Sequence, residues 1–136
     1  MHVFKRILVR PWLLPALALG IFAICACDDD GPEADRLGVG SECTRDGECP
    51  ASASHCLAFK GGYCGVPNCG DDTACPTGSA CVMHDDGQRY CFRTCTDKLD
   101  CNANRRPENE ANCSASVDFV GGGKVSGKAC VPPSGS

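Results

Sequence analysis

The sequence predicts a small, disulfide-rich fold of three tandem β-hairpin units with little helix and a minimal hydrophobic core. Cysteine makes up 14 of the 136 residues, a density typical of disulfide scaffolds. From residue 43 onward these cysteines recur in three sets of four. From residue 27 onward only 13 of 110 residues are Leu, Val, Phe or Ile. So few apolar side chains cannot form an ordinary core, and cross-links must supply the missing stability.

The cysteine spacing divides most of the chain into repeated units. Each set opens with two cysteines separated by five residues, and the later gaps vary in length. We therefore predict unit one at 43–64, unit two at 69–91 and unit three at 95–130, with a tail at 131–136. The twelve cysteines expected to pair are Cys43, Cys49, Cys56, Cys64, Cys69, Cys75, Cys81, Cys91, Cys95, Cys101, Cys113 and Cys130.

The segment between the third and fourth cysteines of each unit has the pattern of a hairpin. Unit one carries Gly61-Gly62 between short apolar ends, and unit two carries the turn signal Asp86-Gly87. Unit three carries Gly121–Gly123 between Val-rich flanks. No stretch after residue 42 places apolar residues at helical spacing over three turns, so strands are expected rather than helices.

Residues 1–26 have the layout of an export signal. Three basic residues lie in 1–10, and an uncharged apolar run follows over 11–24. The alternative is an uncut membrane anchor. The apolar run through Ala26 has about 16 residues and contains two prolines, which is short for a span of roughly 20 residues. A signal peptide is therefore predicted.

The end of this signal, Ile24 to Cys27, resembles the lipobox of bacterial lipoproteins, in which a small residue precedes the cysteine that receives lipid. The resemblance implies lipidation of Cys27 and a protein anchored at the cell envelope, in the bacterial periplasm or at the cell surface. The cysteine count agrees with lipidation of Cys27, because the twelve cysteines that follow it are an even number and can all pair. Cleavage directly after Cys27 would also leave an even number, so that alternative stays open.

Residues 27–42 are predicted to form an acidic, flexible tether. Residues 28–42 contain six acidic residues, one Arg, one Pro and three Gly. Such a composition favours disorder, and 15 flexible residues span about 20 Å on average. A calcium loop at the aspartates is the alternative, but Pro32 and the missing later ligands break the EF-hand pattern.

Unit two, with the frame C-x5-C-x5-C-x9-C followed by a further cysteine, resembles the start of the Dickkopf N-terminal cysteine-rich domain. Similar tandem units occur in predicted lipoproteins of Gram-negative bacteria. From the sequence alone, four cysteines allow three pairings per unit. The resemblance implies a compact hairpin unit and a crossed order, first to third and second to fourth. The implied bridges are Cys43–Cys56, Cys49–Cys64, Cys69–Cys81, Cys75–Cys91, Cys95–Cys113 and Cys101–Cys130.

Neither a cofactor nor a catalytic or metal site is predicted. Zinc ligands usually come in pairs two to four residues apart, and the cysteine pairs that qualify straddle unit boundaries. His55 and His84 are the histidines that follow the signal, and both are expected in exposed loops. Ten basic against seventeen acidic residues from Cys27 onward also argue against nucleic acid as a partner.

Unit three is longer than its neighbours, with 36 residues against 22 and 23. The surplus lies in loops at 102–112 and 114–129, and it makes Arg105, Arg106 and Phe119 the candidate binding residues. A tolerated insertion and a packing role for Phe119 are the alternatives. We expect a non-enzymatic, lipid-anchored envelope protein that binds an unidentified protein or envelope ligand or serves a structural role. The alternative is a secreted inhibitor, for example of proteases, acting through a loop of unit three.

Overall fold

The computed structural model describes residues 38–121 and 127–135, so the signal peptide, Cys27 and most of the tether lie outside the described residues. The described residues form short strands and turns with one five-residue α-helix, which confirms the small, disulfide-rich fold class. The strands are β1 (His55–Leu57), β2 (Tyr63–Gly65), β3 (Ser79–Met83), β4 (Arg89–Cys95), β5 (Asn112–Ser114), β6 (Asp118–Phe119) and β7 (Lys128–Val131). The helix is α1 (Lys98–Asn102), and 3₁₀-helical turns cover Asp46–Glu48, Ala51–Ala53, Asp72–Ala74 and Pro107–Asn109.

The strands form two antiparallel sheets. Strands β1 and β2 pair as the hairpin of unit one, and the other five strands lie in the order β5-β7-β4-β3-β6. Strand β4 is the junction of the larger sheet, because Arg89 to Arg93 pair with β3 whereas Thr94 and Cys95 pair with β7. Units two and three therefore share one sheet.

All six disulfide bridges lie within units. They follow the crossed order of first to third and second to fourth cysteine, as the resemblance implied. In every unit the third and fourth cysteines also face each other across two paired strands, which ties each hairpin to the segment before it. These facing pairs are Cys56 and Cys64, Cys81 and Cys91, and Cys113 and Cys130.

Two of the three predicted hairpin turns are confirmed. Gly61-Gly62 connects β1 to β2, and a Cβ added at Gly62 would lie 2.0 Å from the carbonyl oxygen of Cys43. Its φ of +69° also favours glycine. Asp86-Gly87 lies in the turn from β3 to β4, where the Gly87 amide donates to the His84 carbonyl at 2.9 Å.

The expected hairpin around Gly121–Gly123 is wrong in its pairing. Strand β6, just before these glycines, pairs with β3 of unit two, whereas β7 pairs with β5 and β4. Residues 122–126 lie outside the described residues. The hairpin of unit three is instead formed by β5 and β7. The edge of β3 offers β6 a strand partner, and this pairing brings Phe119 against the aromatic core.

The core is small and lies between the two sheets. Phe59 and Tyr63 from the first hairpin meet Tyr90 and Phe92 of β4, with ring centroids 5.3 to 6.2 Å apart. Tyr63 and Phe92 are fully buried. Aromatic rings contribute the largest buried areas available in so apolar-poor a chain. The core therefore belongs to no single unit, since Ala129 of unit three is fully buried in the same cluster as the aromatic residues of units one and two.

The predicted flexible tether is wrong over its last five residues, 38–42, which belong to the fold. Val39 is only 2% exposed and packs into the core. The Gly40 amide donates to the Cys64 carbonyl, and the Cys64 amide donates to the Ser41 carbonyl, both at 2.9 Å. These bonds lay the segment along β2 and satisfy backbone groups at the edge of that strand.

Candidate functional site

In the third-unit loop, residues 102–112, the side chain of Asn102 holds the two ends together. Asn102 accepts a hydrogen bond from the Ala111 amide at 2.8 Å and donates to the Ala111 carbonyl at 3.0 Å. Asn102 is itself the last residue of α1, whose start is capped by Asp97 accepting from the Leu99 amide at 2.8 Å. Both ends of the loop are therefore attached to the C-terminal end of α1.

Arg105 is a buried anchor in this loop. Its guanidinium donates to four backbone carbonyls, those of Asn109, Gly40, Gly62 and Lys60, at 2.7 to 2.9 Å. The residue is only 9% exposed. Three of these acceptors belong to the N-terminal segment and to unit one. Arg105 thus joins unit three to unit one through its planar fork of donors.

The environment of Arg105 is that of a structural residue. Its guanidinium carbon lies 5.6 Å from the centroid of the Tyr63 ring, a cation–π distance. Burial lowers the pKa of Arg105, while Tyr63 and Glu42 oppose that change. The expectation that Arg105 contributes to an exposed binding surface is therefore corrected, because its charge is already bound inside the molecule.

Arg106 lies beside this anchor at the surface. Its side chain is 70% exposed, and its Nε donates to Glu42 Oε2 at 2.8 Å. The Arg106 amide and the Asn109 side chain also donate to Glu42, at 2.7 and 3.0 Å. Burial acts to raise the pKa of Glu42, but the bonds from Arg106 and Asn109 outweigh it and lower the pKa to about 2. Glu42 thus forms a second junction between the N-terminal segment and the loop.

Phe119 is partly buried, and it does not pack into a separate core of unit three. In β6 it lies opposite Val82 of β3 and packs against the aromatic core. The next residue, Val120, donates its amide to the Cys81 carbonyl at 2.8 Å. A Cβ added at Gly121 would lie 2.9 Å from the Cβ of Asp71. Residues 117–121 therefore form a strap from unit three across the edge of unit two.

The two histidines differ in exposure. The His55 side chain is 51% exposed as expected, although the residue begins β1 rather than lying in a loop, whereas the His84 side chain is only 8% exposed. The expectation of an exposed loop is wrong for His84, because its ring packs 5.1 Å from Phe59 and 6.0 Å from Tyr90, centroid to centroid. Its Nδ1 lies 3.3 Å from a carboxylate oxygen of Asp86. His84 thus completes the aromatic core.

Aspartates that precede the hairpins have a structural role that the sequence did not reveal. Asp46 accepts from the Cys56 amide at 2.8 Å, and Asp72 accepts from the Cys81 amide at 2.9 Å. Both lie three residues after the first cysteine of their unit and bind the amide of its third cysteine. The corresponding position of unit three is Lys98. The sequence feature that could have revealed this role is the shared position, three residues after the first cysteine, rather than the acidic residue type.

A second acid binds the start of its own unit. In unit one Glu48 accepts from the Thr44 amide at 2.8 Å, and in unit three Asp100 accepts from the Thr96 amide at 2.7 Å. Hydrogen bonds from Thr44 lower the pKa of Glu48, and bonds from Thr96 lower that of Asp100. The pattern is a threonine directly after the first cysteine and an acid directly before the second.

Comparison with protein families, with characterised proteins and with solved structures gave no match to this chain. Among the described residues, none of the helices has the length and apolar character needed to cross a membrane. The six disulfides place the folded chain in an oxidising compartment outside the cytosol. The lipobox and Dickkopf resemblances stay predictions.

Proposed function

We propose that this chain is a non-enzymatic module of the cell envelope, held to a membrane by lipid on Cys27, that binds or braces an envelope component. One observation carries the proposal. Polar side chains around the hairpins are built into the fold, with His84 in the core and Asp46 and Asp72 on backbone amides, whereas His55 stays exposed. A rigid, cross-linked body of this kind suits presentation or bracing rather than turnover.

The anchor is tested on the full-length protein in its own membranes. We expect mass spectrometry to find acyl chains on an N-terminal Cys27, and Cys27→Ser to release the protein from the membrane fraction. Residues 28–37 would then separate the lipid from the first residue of the fold. An unmodified Cys27, or a mature N-terminus elsewhere, contradicts the lipoprotein assignment.

Within the third-unit loop, Arg106 is the candidate binding residue that remains at the surface. Arg45 of unit one is a matched control, because its side chain is 80% exposed and lies 3.3 Å from Glu48. We expect Arg106→Glu to remove cross-links between the full-length protein and envelope components in intact cells, and Arg45→Glu to leave them unchanged. Equal cross-linking of both variants and of the wild type rules out recognition through this loop.

The inhibitor alternative gains no support from the loop geometry. A basic residue that enters a trypsin-like pocket must extend from the surface, whereas the Arg105 guanidinium is bound to four carbonyls. Arg106 is exposed but precedes Pro107, which begins a 3₁₀ turn. We expect no inhibition of trypsin by the oxidised protein. Tight inhibition would instead favour the inhibitor function.

A further inference from the structure

The six disulfide bridges differ in how well the protein covers them. All twelve of their cysteines lie in the described residues. Five bridges contain at least one cysteine that is no more than 6% exposed. In the bridge Cys95–Cys113 both cysteines are only half-buried. Thiol–disulfide exchange depends on approach to a sulfur atom, and among the bridges of the described residues Cys95–Cys113 is the one in which both cysteines are partly exposed.

Charge distinguishes the third cysteine of unit three from those of the other units. The attacking species is a thiolate, which a nearby carboxylate repels. Asp46 and Asp72 place a carboxylate oxygen 2.8 and 2.9 Å from the amides of Cys56 and Cys81. Unit three has Lys98 at that position, and its ammonium pairs with Glu110. The residue type at this position thus differs, since unit three has a lysine where the other two units have an aspartate bound to the amide of the third cysteine.

The other half of this bridge lies beside a second bridge and between charges of both signs. The sulfur of Cys95 lies within 4.8 Å of those of Cys101 and Cys130. Lys128 is the cross-strand partner of Cys95, and its ammonium donates to the Thr96 carbonyl at 3.3 Å, which favours a thiolate on Cys95. The carboxylate of Asp100 accepts from the Thr96 amide at 2.7 Å and acts in the opposite direction.

We propose that Cys95–Cys113 is a thiol-exchange site for low-molecular-weight thiols. The thiolate sulfur forms a bond to Cys113 Sγ while the Cys113–Cys95 bond breaks, and the electron pair leaves on Cys95 Sγ. The products are a mixed disulfide on Cys113 and a Cys95 thiolate, with no net oxidation. The Cys101–Cys130 bridge still holds unit three closed, so the site is modified without release of the third-unit loop.

The test uses reduced glutathione on the oxidised full-length protein near neutral pH, with samples alkylated at intervals and mapped by mass spectrometry. We expect glutathione on Cys113 and the alkyl group on Cys95 before any other cysteine is modified. Modification that begins in unit one or unit two overturns the proposal. Simultaneous reaction of all six bridges overturns it as well, because that indicates global unfolding instead of a local site.

Matched variants test the charge argument. Lys98→Asp should slow exchange at Cys113 about fivefold, whereas Lys98→Gln, which also loses the pair with Glu110, should retain most of the wild-type rate. In unit one, Asp46→Asn keeps an oxygen for the Cys56 amide and should raise exchange at Cys56 about fivefold. Unchanged rates in both Lys98→Asp and Asp46→Asn would show that charge does not set the order of reaction, and the site assignment would be withdrawn.

Discussion

Units one and two close in 22 and 23 residues, whereas unit three uses 36 residues around the same four-cysteine frame. The shorter units contain little beyond two bridges, a hairpin and short 3₁₀ turns. The extra residues of unit three extend outward: the third-unit loop reaches unit one, and the 117–121 strap reaches unit two. The cysteine frame thus sets the geometry within each unit, and the added residues of unit three join the units together.

The largest expected effect comes from removing the anchor of the third-unit loop. Arg105→Ala leaves four backbone carbonyls without their donor, and we expect a loss of about 3–5 kcal/mol in the free energy of unfolding. The measurement is denaturant unfolding with all bridges intact. Arg105→Lys should recover only part of this loss, because one ammonium cannot replace the planar guanidinium.

The neighbouring arginine provides the control. Arg106 is 70% exposed, and Arg106→Ala should cost no more than about 1 kcal/mol. Similar losses for Arg105→Ala and Arg106→Ala would show that the loop is held by general charge rather than by the buried guanidinium. The comparison between unit three and the shorter units would then lose its main support.

Removal of the strap contact should have the next largest effect. Phe119 is partly buried against the aromatic core, so Phe119→Ala should cost about 2 kcal/mol, less than for a fully buried ring. Non-reducing peptide maps should show the same six bridges. Met83, which is 39% exposed in the adjacent strand, is the control, and Met83→Ala should change stability by less than about 0.5 kcal/mol. Scrambled bridges in Phe119→Ala would mean that the strap directs disulfide pairing.

Acid should weaken the junction at Glu42. Its pKa falls from 4.5 to about 2 on folding, so the ionised carboxylate stabilises the fold above pH 4.5. This contribution is lost as the pH falls from 4.5 to 2, and because the partner Arg106 is 70% exposed we expect it to be only about 1–2 kcal/mol. Glu42→Gln should remove this part of the pH dependence of unfolding. Parallel pH profiles for the wild type and Glu42→Gln would refute the assignment.

The smallest expected effects concern the aspartates that bind cysteine amides. Asp46→Ala and Asp72→Ala should each cost about 1 kcal/mol, because each leaves an amide donor without its acceptor. Lys98→Ala at the corresponding position of unit three should cost less than about 0.5 kcal/mol. Thermal unfolding of the three variants measures the difference. An equal cost at Lys98 would imply that unit three uses this position as the other units do.

Local patterns in the sequence were sufficient to predict the small, disulfide-rich fold class and two hairpin turns. Gly61-Gly62 and Asp86-Gly87 carry their turn preference in the residues themselves, and the cysteine spacing shows the repeat directly. The prediction for the third hairpin was wrong about the strand just before Gly121, because β6 pairs with β3 while β7 pairs with β5 and β4. That choice depends on the edge of β3, which no pattern near Gly121 reveals.

The candidate site was less predictable because it, too, depends on contacts between residues far apart in the sequence. Arg105 and Arg106 are adjacent and chemically alike, yet one is buried and the other exposed. What separates them is the position of carbonyls that lie far away in the chain, such as that of Gly40. Val39 was assigned to a disordered tether because its neighbours are acidic residues and glycines, and its burial depends on contacts made with unit one.

The reach of Arg105 has a consequence for the order in which the fold can be completed. Every disulfide closes over 12 to 29 residues, so each unit can oxidise as soon as its own four cysteines are in an oxidising compartment. The acceptors of Arg105 in the N-terminal segment and unit one lie 43 to 65 residues before it. Unit one can therefore close covalently while its backbone still lacks these bonds. Its final packing requires a residue that unit three supplies.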